Sequence, residues 1–170
     1  MDVGRQIFAL VRSLFFGTLF VSLWTWFVPR WISRGPLQPD WNIVSIVLMT
    51  IGGAIMIKCV FDFSWRGLGT PFPLDPPRRL VVSGLYRWVR NPMYVGMGIL
   101  LTGEALLLPA IMRQMFMLTA ILWAAVTIFI VVFEEPALRQ KFGGEYEGYC
   151  RQVRRWIPRL RPFDNPQPLP

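Results

Sequence analysis

Histidine is absent from this chain, and only two of its 170 residues are cysteine. Cys59 and Cys150 lie far apart, without the paired spacing of a zinc site. These absences argue against a haem held by histidine and against a nucleophile activated by histidine, and we predict no metal site. We expect no disulfide either, because the topology given below places both cysteines towards the reducing side of a membrane.

Charged residues are scarce as well, at 16% of the chain, whereas 54% of the residues are hydrophobic. This composition is too apolar for an ordinary soluble domain and is typical of an integral membrane protein. A formal net charge of +8 could indicate nucleic-acid binding. The arginines are concentrated in loops between apolar runs, however, as on the interior face of a membrane protein, so we expect no nucleic-acid partner.

Four apolar runs predict an all-α, integral membrane helical bundle with about four transmembrane helices, at residues 7–28, 41–61, 93–108 and 115–133. The third run would rise only about 24 Å, against a hydrocarbon core of roughly 30 Å. Gly52 and Gly53 in the second run would let another helix approach closely. The segments 29–40 and 64–80 are rich in Pro and Gly and are predicted to be irregular.

The fourth helix is expected to continue to about residue 141, where Gly143 and Gly144 stop it. A second amphipathic segment, residues 145–156, should follow and form a C-terminal helix. The positive-inside rule places both termini and the 64–80 loop in the cytoplasm, because the other side carries only Arg30, Arg34 and Arg113. We predict one domain over residues 1–160 and a Pro-rich disordered tail at 161–170.

Residues 78–96, RRLVVSGLYRWVRNPMYVG, have the features of a binding site. Asn91 and Pro92 predict a helix start, whose unpaired amide groups would attract an anionic group together with Arg87 and Arg90. Three nearby rings could stack on a flat ring or lie against a cation: Tyr86, Trp88 and Tyr94. A purely structural alternative is a basic, aromatic collar that anchors a helix in the headgroup layer.

The sequence GLYRWVRNPMYVG at 84–96, followed by EEPALRQKFGGEYEGYCRQVRRWIP at 134–158, resembles the isoprenylcysteine carboxyl methyltransferase family. Members carry an R-H/N-P-x-Y-x-G element and, later, an E-E-x-x-L…F-G-x-x-Y-x-x-Y element, in this order and approximate spacing. The resemblance covers the second half of the chain, with the motifs within residues 70–158. It implies methyl transfer from S-adenosylmethionine to an apolar acceptor in the membrane, a prenylcysteine carboxylate being the family case.

The resemblance also implies which residues hold the cofactor: Leu80, Val81, Tyr86, Asn91, Pro92, Met93, Tyr94 and Glu134. Most of these residue types suit the ligand. A helix start suits the methionyl carboxylate, aromatic rings suit adenine or the sulfonium, and Glu134 suits ribose hydroxyls or the ammonium group. The sulfonium is already activated, so we assign no catalytic residue. Arg90 and Glu104 are the candidates.

Two positions depart from the family pattern. Asn91 stands where eukaryotic members have histidine. Ile130 stands where those members have an arginine associated with the substrate carboxylate. The acceptor therefore stays open among prenylcysteine, lipids, thiols and other apolar molecules.

Structural alternatives exist for three of the acidic residues. Glu134 and Glu135 could form a solvated helix end paired with Arg139. Glu104, inside an apolar helix, is a functional candidate because a buried acid is costly there. It could also pair with Lys58 or Arg113, or lie near the exterior interface.

Two other functions are compatible with the sequence. One is a membrane reductase that uses NADPH, by analogy with the helical architecture of sterol reductases. The other is a non-enzymatic membrane protein whose basic collar binds anionic lipid.

Overall fold

The computed structural model describes residues 11, 15, 19, 21–62 and 80–164. These residues form helices and connectors, with no strand among them, which confirms the all-α prediction. Five α-helices are used below, and the first four, α1 to α4, are Val28–Ile32, Ile43–Asp62, Pro92–Leu107 and Met112–Phe129. The last of them continues through a π-helical turn, Ile130–Glu134, into α5, Glu135–Gln152. Shorter helical turns are Leu23–Phe27 before α1, Gly84–Arg87 before α3 and Pro109–Ile111 before α4.

Two helices are long and apolar enough to cross a membrane by length and composition. They are Ile43–Asp62 and the apolar part of the continuous Pro109–Gln152 helix, while Pro92–Leu107 is shorter. The first predicted span lies largely outside the described residues, as does the 64–80 loop. The count of four spans therefore stays a prediction.

The helix before the first connector continues further than its sequence predicts. Pro29 was expected to begin an irregular segment, but α1 carries this proline in its first turn and ends only at Ile32. The π-helical turn Leu23–Phe27 runs directly into α1, and its wider winding accommodates a proline, which has no amide hydrogen to donate. The prediction of an irregular segment from residue 29 was wrong by four residues.

Glycines bring α2 and α3 into close contact. A Cβ atom added at Gly52 would lie 2.5 Å from both the carbonyl oxygen of Gly96 and the amide nitrogen of Leu100. Further along the pair, a Cβ at Gly103 would lie 2.9 Å from the carbonyl oxygen of Ser45. Nothing lies within 4 Å of a Cβ at Gly53. The predicted close approach is thus confirmed at Gly52 and absent at Gly53.

The C-terminal part returns to the residues that precede α3. At Gly143 the backbone leaves helical geometry, with a φ of 51° and a ψ of −128°, so the predicted helix stop is confirmed and α5 consists of two helical segments joined at this kink. The second segment ends at Gln152 and not at the predicted residue 156. After α5, residues 153–164 form an irregular segment with several bends, here called the C-terminal strap. It lies against residues 80–91, here called the motif loop. Three backbone hydrogen bonds join strap and loop: Arg90 to the Arg154 carbonyl (2.9 Å), Arg159 to the Trp88 carbonyl (2.9 Å) and Phe163 to the Arg87 carbonyl (2.8 Å).

Phe163 anchors the strap by burial as well as by its backbone. Its ring packs with Tyr146, Tyr149 and Val153 in an apolar cluster. Residues 161–164 of the predicted tail are therefore part of the packed structure, and residues 165–170 lie outside the described part.

Candidate functional site

Tyr94 and Glu134 meet across the bundle. The Tyr94 hydroxyl, in the first turn of α3, donates to Oε2 of Glu134 at 3.5 Å. Glu134 ends the π-helical turn that follows α4. Two residues 40 positions apart in sequence are thus brought together at one end of the bundle, where both motifs meet. Whether they bind a cofactor stays a proposal.

Asn91 occupies the N-cap position of α3, as predicted, but it does not cap the helix with its side chain. Its side-chain amide instead donates to the Arg155 carbonyl of the strap at 3.3 Å. Pro92 is buried in the first turn, and Met93 packs against the cluster of Val81 and Cys59. The predicted helix start is confirmed, and the Asn91 side chain contacts the strap.

Glu135 has a different environment from its neighbour Glu134. Its buried carboxylate accepts two hydrogen bonds from Arg155, at 2.8 and 3.0 Å. Arg90 lies 3.2 Å and Arg139 3.5 Å from the same group. Arg139 thus pairs with Glu135, as the structural alternative expected, but Glu135 is buried and not solvated. Glu134 contacts Tyr94 instead.

The arginines set the charge state of Glu135. Burial acts to raise the pKa of its carboxyl, but the hydrogen bonds from Arg155 and the charges of Arg90, Arg155 and Arg139 outweigh burial, and the pKa lies below its usual value. The same hydrogen bonds raise the pKa of Arg155. The cluster therefore stays ionised at neutral pH and ties α5, the motif loop and the strap together.

This depressed pKa predicts acid sensitivity. Above the ordinary glutamate pKa of about 4.3 the stabilisation from Glu135 is fully present, and it is lost as the pH falls through the lower pKa of the folded state. We expect the apparent melting temperature of the wild type to fall more steeply between neutral pH and about pH 3 than that of Glu135→Gln. A constant difference between the two curves over this range would contradict the prediction.

Three predicted cofactor residues of the motif loop are packed against the protein. Leu80 lies on the cluster of Tyr146 and Tyr149, and Val81 is buried beside Cys59. Tyr86 is only 8% exposed, and its carbonyl accepts a hydrogen bond from the Tyr149 hydroxyl at 2.7 Å. Burial raises the pKa of the Tyr86 phenol well above its usual value, so it stays neutral. In this conformation these residues shape the loop, and cofactor contact by them stays a proposal.

The guanidinium of Arg90 contacts neighbouring side chains through one nitrogen and has an unpaired N–H group at another. Its Nη1 donates to the Cys150 sulfur at 2.7 Å and lies near Glu135. Its buried Nε–H, like the buried hydroxyl of Ser83, has no hydrogen-bond partner among the described residues. Unpaired buried donors are costly and uncommon. Ser83 was not among the predicted residues, and nothing in its sequence context distinguishes it from an ordinary turn serine.

Glu104 is buried in α3, away from the contact between Tyr94 and Glu134. It is 2% exposed, and its Oε2 has no hydrogen-bond partner in the described part of the chain. Pairing with Lys58 is not observed, because Lys58 lies 2.5 Å from Asp62. Ile130, at the position of the family's substrate arginine, is 1% exposed and therefore packed within the bundle.

An apolar groove lies between α2, α3 and α4 and has a volume of about 520 Å³. Val95, the residue after Tyr94 in α3, is among its lining residues. Its lining is almost entirely apolar: Leu48, Val95, Gly98, Ile99, Thr102, Phe116, Thr119, Ala120 and Trp123. The groove therefore suits a hydrocarbon chain.

Comparison with known proteins gives one family. The family model described as phospholipid methyltransferase matches residues 41–145. Neither curated proteins nor solved structures gave a match. The matched range is more than half of the chain, and it contains α2, α3, α4, Tyr94 and Glu134. The isoprenylcysteine methyltransferases noted from the motifs are of the same membrane type. The chain therefore belongs to the phospholipid methyltransferase family of membrane methyltransferases.

Proposed function

We propose that this protein transfers a methyl group from S-adenosylmethionine to a lipidic acceptor held in the membrane. The observation that carries the proposal is the Tyr94–Glu134 contact of 3.5 Å, at the start of α3. The next residue of this helix, Val95, lines the apolar groove, so one helix contributes both to a polar site for a charged nucleoside and to a groove for a hydrocarbon chain. The family match favours methyl transfer over NADPH-dependent reduction and over a scaffold role.

The residues around the start of α3 fit the cofactor. Its methionyl carboxylate would bind the first amide groups of the helix and the unpaired Arg90 Nε–H. Glu134 would accept hydrogen bonds from the ribose or from the ammonium group, and Tyr94 would fix its orientation. We keep the loop residues Leu80, Val81 and Tyr86 as proposed walls of the site. When bound, the cofactor supplies a sulfonium-activated methyl group, so the protein's task is alignment and exclusion of water.

The groove sets the direction from which the acceptor arrives. Apolar residues of α2, α3 and α4 line it. An acceptor would enter between these helices sideways from the bilayer and place its polar head near Tyr94 and Glu134. Positive charge predominates at the motif end, which under the positive-inside rule would lie in the cytoplasm, where the methyl donor is available. Both termini would then be cytoplasmic, in a multi-pass arrangement.

The charged residues near the groove favour one kind of acceptor head group over another. A carboxylate acceptor, as in prenylcysteine, would require a cation in the groove, but the corresponding position is the buried Ile130, and Arg90 is already held by Glu135. An amine head group must lose a proton before it can attack the methyl group, and Oε1 of Glu134, the oxygen that does not bond Tyr94, would accept that proton. A phospholipid amine, in keeping with the description of the matched family, is the acceptor we favour.

The proposal is tested by titrating S-adenosylhomocysteine into the purified, folded protein in a calorimeter. We expect binding by the wild type and about tenfold weaker binding by Glu134→Gln, because a hydrogen bond to a charged group is lost. Tyr94→Phe should weaken binding by a smaller factor, since it removes only the residue that orients Glu134. Glu147→Gln is the matched control, because Glu147 lies on the exposed side of α5.

Failure of the folded wild type to bind the ligand would end the proposal. The acceptor is identified separately, by incubating the protein with radiolabelled methyl donor and either a phospholipid with a primary amine head group or a prenylcysteine. Label in the phospholipid is the expected outcome. Label only in the prenylcysteine would keep methyl transfer and overturn the choice of acceptor.

A further inference from the structure

Residues 154–161 of the C-terminal strap, here called the strap turn, expose apolar and basic side chains next to each other. Ile157 is 60% and Leu160 is 98% exposed. Arg154 and Arg161, on either side, are exposed as well and form no ion pair within residues 80–164. Exposed apolar residues flanked by unpaired cations are typical of segments that lie in a membrane interface, with the apolar side chains in the acyl boundary.

Trp156 fixes the position of this turn relative to the membrane-embedded helices. Its ring centroid lies 4.6 Å from that of Trp123. Trp123 belongs to α4, within the apolar helix, and lines the groove. The strap therefore dips from the motif loop onto the lipid-facing surface of the bundle, and Ile157 follows directly after the residue that makes this contact.

We infer that residues 154–161 form a binding surface for anionic phospholipid, in which Ile157 and Leu160 enter the acyl region and Arg154 and Arg161 contact the lipid phosphates. The argument is charge complementarity combined with the depth set by Trp156. A nucleic acid or a soluble protein would have to reach Ile157 and Leu160 beside the apolar helix α4, whose Trp123 contacts Trp156. This inference goes beyond the proposed function and does not rest on it.

Lipid binding at this surface would act on the candidate site through the strap. The strap donates the Arg159 and Phe163 amides to carbonyls of the motif loop, and its Arg155 holds Glu135. A turn fixed in the interface opens less often, so these hydrogen bonds break less often. Anionic lipid would therefore hold the motif loop in the arrangement that these hydrogen bonds fix.

The test is amide hydrogen exchange of the full-length protein in nanodiscs, read on the segment that contains Arg159 and Phe163. Discs of phosphatidylcholine alone are compared with discs that also contain phosphatidylglycerol. We expect exchange to be slower by on the order of 10-fold with the anionic lipid at low salt, since two arginines act at the charged surface. High salt should reduce the difference.

Variants assign the effect to the turn. The double variant Arg154→Gln/Arg161→Gln should lose the lipid dependence, whereas Arg113→Gln, an exposed arginine at the start of α4, should keep it. Leu160→Ser should reduce protection in both kinds of disc. Equal exchange in the two discs, full lipid dependence in the double variant, or equal slowing by free inorganic phosphate would each overturn the inference. None of these readouts depends on the methyl donor, so they are independent of the calorimetric result.

Discussion

Replacing Gly52 by alanine should destabilise the protein by about 2–3 kcal/mol. The new methyl group would lie 2.5 Å from the Gly96 carbonyl oxygen and from the Leu100 amide nitrogen. Both are backbone atoms of α3, so neither can move aside as a flexible side chain would. Relief requires α2 and α3 to separate, which loses packing along their whole contact and displaces the start of α3 near Tyr94.

Gly53→Ala is the matched control, because it makes the same chemical change one residue further on. Nothing lies within 4 Å of the new methyl group, and alanine has the higher helix propensity, so this variant should be neutral or slightly more stable. Apparent melting temperatures in the same lipid or detergent give the comparison. Equal melting temperatures for the two variants would show that the close approach of α2 and α3 contributes nothing to stability.

Replacing Glu135 by alanine should cost about 3 kcal/mol. The carboxylate is 3% exposed and is the shared partner of Arg90, Arg155 and Arg139. Removing it leaves Arg90 buried with its charge uncompensated, which is the costly way to break a buried ion pair. The strap should loosen from α5, and unfolding followed by tryptophan fluorescence should begin at lower temperature.

Two further variants separate this effect from a general loss of surface charge. Glu147→Ala removes an exposed pair with Arg151, whose atoms are 4.0 Å apart, and should change stability by less than about 1 kcal/mol. Glu134→Ala should lower ligand affinity more than stability, since its hydrogen bond is to a tyrosine rather than to three arginines. Equal destabilisation by Glu134→Ala and Glu135→Ala would contradict the division of roles between the two residues.

Local signals made much of the fold predictable. The Asn91-Pro92 pair marks the start of α3, since proline is tolerated only in the first turn and the residue before it avoids helical geometry. The second apolar run, predicted at 41–61, is the helix Ile43–Asp62. The pair Gly52-Gly53 indicated close helix packing, but the sequence could not show which of the two glycines faces α3. In the structure only Gly52 does.

The strap was not predictable, because its contacts join residues far apart in the chain. Arg155 reaches Glu135 across 20 residues, and Asn91 reaches Arg155 across 64. The Pro-rich composition of residues 161–170 favoured disorder, yet Phe163 is buried. A single apolar side chain in a polar segment, preceded by several arginines, is too weak a signal to show that the segment packs.

Adjacent residues of a helix point about 100° apart, so Glu134 is directed at Tyr94 while Glu135 meets the arginines. The π-helical turn Ile130–Glu134 leads directly into this pair. Because a π turn holds one more residue than an α turn, it accommodates an extra residue without changing the direction of the helix on either side. Deleting one residue within 130–133 should therefore return the turn to α geometry and leave both carboxylates facing their present partners.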